Sequence, residues 1–469
     1  MRRTETFAPF ANFRAQVALS ERGFPLGRIA ELSPAGFRVT GLSDHALLGD
    51  ELIYDDAAGL VQRAEVSHLE QGSLWATPFA SAEGLRMGLP VRPAGSPRIN
   101  PHDGWIGRII DPFGRPLDDR PIAAGQPMPL RAQPPAAARR RGMGPRLRTG
   151  FAVLDTMLPI VRGQRIGLFA GSGVGKSTLI GTLAREMEAD VCVLALVGER
   201  GREVSDFVRR ILGPEGMART VVVAATSDQP ANTRRRCAVT ALTVAEHFRD
   251  QGKHVLFLCD SITRLAEAHR EVATAAGEDA NLRGHPPSLA PLLASLAERA
   301  GPGEGEQGDI TGVFSVLVAG SDMEEPLADI MRGQLDGHVV LSREIAEAGR
   351  FPAVDVLRSV SRSLPDAATR NENTLITEAR KILSAHDRNE LMVTSGLYER
   401  GSNSEIDQSL ILVPRLNEVF TAQGLPRATD GFRMLAGILG RSYTAPTPAV
   451  QKPRSKTSAG DETELLPPD

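Results

Sequence analysis

Ala170-Gly171-Ser172-Gly173-Val174-Gly175-Lys176-Ser177-Thr178 follows the apolar run Arg165–Phe169 and leads into Leu179, Ile180, Leu183, Ala184 and Met187, which recur at helical spacing. Strand, glycine-rich loop and helix in that order make a cradle for phosphate. The glycines let backbone N–H groups turn inward around phosphate oxygens without Cβ clashes. Lys176 brings a point charge to the outer phosphates, Ser177 offers a hydroxyl to Mg²⁺, and the helix N-terminus adds its partial positive charge. The strict pattern opens on Gly where this chain has Ala170, another small residue. A chance glycine-rich turn does not account for the strand and helix on either side. The motif assigns nucleotide binding without naming a reaction.

Downstream, the apolar run His254–Cys259 ends in Asp260. A carboxylate at the carboxyl end of a strand beside a phosphate loop can hold the hydration shell of Mg²⁺. The same Asp260 also reads as a cap on a helix over 261–268, and the two roles are compatible. Upstream, the strand-like run Leu194–Val197 is followed by Gly198-Glu199-Arg200-Gly201-Arg202-Glu203. Hydrolysis of a γ-phosphate needs an oriented water, and Glu199 at that strand end is placed to hold and polarise it. An exposed loop carboxylate is the plainer reading of the same residue.

Around these motifs the pattern is α/β. Apolar runs at 166–170, 191–197, 220–224, 254–259, 313–318 and 338–341 alternate with helical patterns. After Pro230, for example, Ala238, Ala241, Leu242, Ala245 and Phe248 fall on one helix face. This alternation predicts a mostly parallel sheet covered by helices, within a P-loop domain assigned to 96–364. Residues 21–95 carry short alternating stretches such as Phe37–Thr40, Asp50–Tyr54 and Leu74–Thr77, which predict a small N-terminal β-barrel. Residues 365–440 read as a helical C-terminal domain and 441–469 as a disordered tail. In segment 1–20, Phe7, Phe10, Phe13 and Val17 make an amphipathic stripe that either docks on its own chain or binds a partner.

Composition narrows the function classes. The 469 residues carry 54 Lys+Arg against 57 Asp+Glu, a net charge of −3, which argues against a nucleic-acid coat protein. A hydrophobic share of 41% and a charged share of 24% are those of a globular chain, not a disordered one. No apolar run is long enough to span a bilayer and no signal-peptide core is evident, so a cytoplasmic location is expected. Cys192, Cys237 and Cys259 form no Cys-x-x-Cys pair and read as small core hydrophobes. Arg139–Arg141 reads as a solvated loop or as a surface for an acidic partner. Arg234–Arg236 reads as solvent-facing or as part of a subunit interface.

Several phrases together resemble a known family. Gly198-Glu199-Arg200 beside the phosphate loop is similar to the catalytic subunit of rotary ATP synthases, as is Phe351-Pro-Ala-Val-Asp-Val-Leu-Arg-Ser-Val-Ser-Arg362. His247-Phe-Arg-Asp-Gln-Gly-Lys253, Asp260-Ser-Ile-Thr-Arg264, Leu335–Ser342 and Ala346–Gly349 resemble the flagellar and type III secretion export ATPases. The resemblance runs from about residue 20 to 440. It implies a RecA-like P-loop ATPase using ATP and Mg²⁺, with Glu199 as catalytic carboxylate. Arg200 and Arg264 would line the γ-phosphate, Glu203 would support the magnesium water shell, and Phe351 would stack on adenine. Arg362 would act as an arginine finger on the ATP of the neighbouring subunit. His285 and Phe351 stand where family members commonly have Tyr, away from the phosphate chemistry. Tyr398 reads either as a wall of the adenine pocket or as an ordinary core or surface tyrosine.

The family resemblance implies a homohexamer energising flagellar protein export. It also implies a regulatory stator protein at the N-terminus, a central stalk protein, export-gate membrane proteins, and export substrates with their chaperones. The location implied is cytoplasmic, peripheral to the inner-membrane export apparatus, with no direct nucleic acid contact. A virulence or symbiosis type III secretion ATPase shares these motifs. A non-catalytic nucleotide-binding subunit would lack Glu199. An RNA translocase would need basic residues around Phe24, Phe37, Tyr54, Trp75 and Phe79, and none cluster there.

Overall fold

The computed structural model describes residues 25–279, 284–318 and 323–445. The amphipathic segment 1–20 and the tail from 446 onward lie outside the described residues. Six antiparallel strands form a closed barrel: β1 (Gly27–Ser33), β2 (Gly36–Thr40), β3 (Glu51–Asp55), β4 (Val61–Glu70), β5 (Ser73–Pro78) and β6 (Pro90–Gly95). Their order around the barrel is β1-β2-β5-β4-β3-β6, so no edge is left open. Alternate residues point inward. Phe37 and Val39, Leu52 and Tyr54, Ala64 and Val66, and Leu74 and Ala76 make the apolar filling.

The central sheet is built on β7 (Ile109–Ile110), β8 (Arg165–Ala170), β9 (Val191–Glu199), β10 (Thr220–Thr226), β11 (His254–Asp260), β12 (Asp309–Leu317), β13 (Gly337–Leu341) and β14 (Val354–Ser361). Their spatial order is β14-β13-β8-β12-β11-β9-β10-β7. All neighbours on this path are parallel except β14, which runs antiparallel to β13 at the edge. The central strands β9 to β11 are continuous apolar runs because both faces are covered. Cys192, Cys237 and Cys259 are all buried among them, and burial pushes the Cys192 thiol up to about 12. Strand β14 was read in the sequence only as a signature, although its exposed positions Arg358 and Val360 alternate with buried Ser359 and Ser361.

Helix α1 (Lys176–Glu186) follows β8, α2 (Gly201–Asp206) follows β9, α3 (Ala231–Asp250) follows β10 and α4 (Ile262–Ala275) follows β11. Beyond the sheet come α5 (Arg370–Thr394), α6 (Ser404–Thr421) and α7 (Ala428–Ile438). Their buried residues Leu375, Leu416, Phe420 and Phe432 join the same core as Phe151, Leu154 and Leu168. The first turn of α5 is closed by a capping box, with Glu372 N donating to Thr369 Oγ1 and Thr369 N to Glu372 Oε2. Glu372 also accepts from Arg146 and from the Tyr443 hydroxyl. Residues 441–445, assigned on composition to the tail, are thus held against the helical layer. Among the described residues no helix is long and apolar enough to cross a membrane.

Both arginine runs are spent within the chain. Arg140 and Arg141 donate to carbonyls of Pro135, Gln307 and Gly308 and to Asp309, fastening the connector after the barrel. Arg235 pairs with Glu65 at 2.6 Å and Arg236 with Glu51, so α3 is clamped to the barrel. The expectation of a solvent-facing run at 234–236 is corrected by the depth of Arg236, which is 7% exposed and lies over the rings of Phe79 and Phe113. The run looked solvated because the carboxylate partners of Arg235 and Arg236 are 170 and 185 residues away in sequence, and that of Arg234, Glu271, is 37 away.

Candidate active site

The loop between β8 and α1 owes its shape to two glycines in the left-handed region, Gly173 at φ +79° and Gly175 at φ +87°. Gly175 is the N-cap of α1, and no side chain caps that end. The first N–H groups of the helix therefore face the loop's interior as anion donors. A Cβ on Gly175 would lie 3.3 Å from the Phe351 ring, so this position is restricted both by conformation and by space. Phe351 is 45% exposed beside the loop. The preceding Arg350 donates to Val354 O at 3.0 Å and to Asn417, which fixes the approach of the ring. Ala170 is buried at the end of β8, where its carbonyl accepts from Val318 N. Ser172 and Thr178 are exposed, Val174 is buried, and Gly171 and Ser177 are half-buried.

Lys176 Nζ is ion-paired with Asp260 Oδ1. Asp260 ends β11 and is 3% exposed. It does not cap the next helix. Ser261 does, its hydroxyl accepting from Arg264 N at 3.3 Å. Ser315 Oγ donates to Asp260 Oδ1 at 2.6 Å from β12, the strand between β8 and β11. Glu199 ends β9, where Gly198 at φ +69° marks a break in the register with β10. Burial first, then the neighbouring Asp260 carboxylate, push Glu199 up to about 7, against the opposing pull of Lys176. Ser177, Glu199, Glu203 and Asp260 line one cavity of about 180 Å³, closed by Leu196, Val204, Asp206, Phe207 and Ile211.

The remaining candidates stand apart from that cavity. Arg264 packs on Gly198, whose added Cβ would sit 3.2 Å from Arg264 Cβ, and donates to Glu267 at 3.1 Å. Its Nε is buried without a partner. The Arg200 side chain is 81% exposed and lies 3.6 Å from Glu203. Arg362 is exposed at the end of β14, with Nη2 donating to Arg332 O at 3.4 Å. Tyr398 spends its hydroxyl on Asn403 O and Asp407 at the turn between α5 and α6. Ser315 and Asp206 were missed in the sequence. A lone hydroxyl between Phe314 and Val316 is a trace of the first that does not name its partner; nothing local marks the second.

A parallel sheet ending in a phosphate loop, with a strand-end carboxylate on the loop lysine and a second carboxylate near neutrality, defines a P-loop ATPase. Comparison with known proteins carries this further. Residues 150–361 match the nucleotide-binding domain of the ATP synthase alpha/beta family, and residues 368–429 match the T3SS EscN ATPase C-terminal domain. The chain is 41% identical to the flagellum-specific ATP synthase of Caulobacter vibrioides over 92% of its own length and all of that protein. It is 44% identical to the Bacillus subtilis protein of the same name, over 78% of this chain and 84% of that one. The chain belongs to the family of flagellum-specific ATP synthases and type III secretion ATPases. Among solved structures, the assembled ATPase EscN of the enteropathogenic E. coli type III secretion system is similar with a TM-score of 0.81 and 35% identity, covering 88% of this chain and all of that one. EscN in complex with its central stalk EscO is similar with a TM-score of 0.79 and 34% identity, over the same shares of both chains.

Proposed function

We propose that this ATPase hydrolyses ATP·Mg²⁺ at a seam between identical protomers of a hexamer and so energises flagellar protein export. The observation that carries this reading is the gathering of Lys176, Asp260 and Glu199 at one sheet end while Arg362 leaves the other. On this reading the loop 170–178 binds the phosphates and Lys176 exchanges Asp260 for the outer phosphate. Glu199, near neutrality, holds the attacking water and accepts its proton. Arg264 turns from Glu267 toward the γ-phosphate, with Arg200 at its rim, and Phe351 stacks on the base. Arg362 serves the neighbour's nucleotide.

Hard oxygen donors fit Mg²⁺. Ser177 and Asp260 would hold it, with Glu203 acting through water. The ion would offset charge on the phosphates. Among the described residues no group of three or more His, Cys, Asp or Glu forms a metal cage.

The domains assigned at 21–95, 96–364 and 365–440, the stator contact of segment 1–20, and the central stalk, export-gate, substrate and chaperone contacts belong to the same proposal. So does a cytoplasmic position at the inner-membrane export apparatus. A virulence type III secretion ATPase is the second reading, favoured by the match of 368–429. A non-catalytic subunit is disfavoured by Glu199. The test mixes two inactive full-length variants, Lys176→Ala and Arg362→Ala. At mixed seams an intact loop meets an intact arginine, so activity should reappear on mixing. Mixtures as silent as their components would overturn the shared site.

A further inference from the structure

We propose that Ser315 is a positioning residue for the metal side of the site. Its hydroxyl pins the Asp260 carboxylate so that the second oxygen stays turned toward the ion and its waters. The inference rests on the reading of Asp260 given above.

Ser315 is fully buried in a central strand whose other residues here, Val313, Phe314 and Val316, are apolar. A hydroxyl in such a place is costly unless it is bonded. It stands in register with Leu168 on the strand that feeds the phosphate loop. On its other side Phe314 pairs with Cys259, which puts Ser315 beside Asp260. The Asp260 carboxylate can only accept, so the single Ser315 proton goes to Oδ1 at 2.6 Å. Lys176 lands on that same oxygen. Both donors therefore sit on Oδ1 and leave Oδ2 to other partners, and Asp260 lines the cavity shared with Ser177 and Glu199.

The χ2 torsion of an aspartate is soft and nearly two-fold, so burial alone does not fix which oxygen faces the cavity. When a phosphate draws Lys176 away, Ser315 is the donor that remains on Oδ1. The frame around it is stiff. Thr263 in the first turn of α4 accepts from Leu317 N at 2.8 Å and donates to Leu317 O at 3.3 Å. This clips the segment after Asp260 to the strand that carries Ser315.

The test uses the full chain and a fluorescent ADP analogue, with binding followed as Mg²⁺ is titrated against EDTA. Ser315→Ala should raise the Mg²⁺ concentration for half-maximal enhancement by about 10–100-fold, the usual range for losing an outer-shell partner. Binding without Mg²⁺ should stay as in the wild type, and Ser315→Thr, which keeps the hydroxyl, should restore the Mg²⁺ response. Ser315→Cys, of similar volume and weak as a donor, gives the same reading if the alanine variant melts early. An unchanged Mg²⁺ response in Ser315→Ala alone, or an equal loss with and without Mg²⁺, overturns the role of Ser315. An unchanged response in Asp260→Asn overturns the metal reading of Asp260 and the inference with it.

Discussion

Arg362 and Lys176 lie at opposite ends of one sheet. Strand β13 carries Gly337 beside Ser361 at one end and Leu341 beside Ala170 at the other. Four residues of strand separate those ends, about 13 Å. Arg362 follows Ser361 directly, and its own backbone N–H is bonded to Asp336 O at the far end. An arginine so placed faces away from its own phosphate loop and toward whatever packs on the sheet edge.

Arg362→Ala should therefore cut turnover by about 10³–10⁵, the range for a finger supplied in trans. Nucleotide affinity should stay close to wild type. Lys176→Ala should lose both. The measurement is steady-state hydrolysis together with equilibrium binding of a fluorescent nucleotide. Wild-type turnover in Arg362→Ala would remove Arg362 from the chemistry.

Glu199 sets a pH dependence whose sign follows from its shift. Held at about 7, it is largely protonated at pH 6 and cannot accept a proton from water. The kcat/KM for ATP, which reports groups of the ligand-free enzyme, should rise with pH, pass half its limit near pH 7 and level off above. Stability runs the other way. A carboxyl raised above its unfolded value favours the fold most below that value, and the benefit is lost as pH climbs through about 7. Glu199→Gln should abolish turnover and yet melt higher than wild type at pH 8, with little difference at pH 4. A gain of about 1–2 °C is expected for each kcal/mol regained in a chain of this size. Equal melting temperatures of the two proteins at pH 8 would contradict the burial of this charge.

The cradle and its lysine were legible because their chemistry depends on local spacing. Gly173, Gly175 and Lys176 must stand where they do for one loop to close. Asp260 and Glu199 were legible because each ends an apolar run. Ser315 was not, since its partner Asp260 comes from the adjacent strand and pairing between strands leaves no spacing rule in one sequence. The clamp from Arg235 and Arg236 to Glu65 and Glu51 was hidden for the same reason. Arg200 looked equivalent to Arg264 in sequence. The structure separates them, because Arg264 packs on Gly198 whereas Arg200 extends into solvent.

The two left-handed glycines of the loop should respond differently to alanine. Gly173 has nothing within 4 Å of an added Cβ, so Gly173→Ala meets backbone strain alone, about 1–2 kcal/mol. Gly175→Ala meets the same strain and also the Phe351 ring at 3.3 Å. Nucleotide affinity should therefore fall further in Gly175→Ala than in Gly173→Ala. Adding Phe351→Ala to Gly175→Ala relieves the contact but not the strain. In a double-mutant cycle the combined loss should be smaller than the sum of the two single losses. Strict additivity would show that the ring does not bear on the loop.

Arg236 and Glu51 join α3 to the barrel through a pair that is almost wholly out of water. Glu51 gives its other oxygen to Arg63, and Arg236 also donates to Pro112 O at 3.0 Å. Removing Glu51 strands the Arg236 charge in a medium that solvates it poorly, whereas removing Arg236 leaves Glu51 its pair with Arg63. Glu51→Met should destabilise the protein by about 3–5 kcal/mol, and Arg236→Met by less. Replacing both together by methionine removes the stranded charge. The double variant should recover most of that loss, since the desolvation cost of both ions disappears with them. Chemical denaturation of the four proteins supplies the cycle. If the double variant is as unstable as the sum of the singles, the clamp depends on its charges rather than on the apolar seam of Phe79 and Phe113 beneath it.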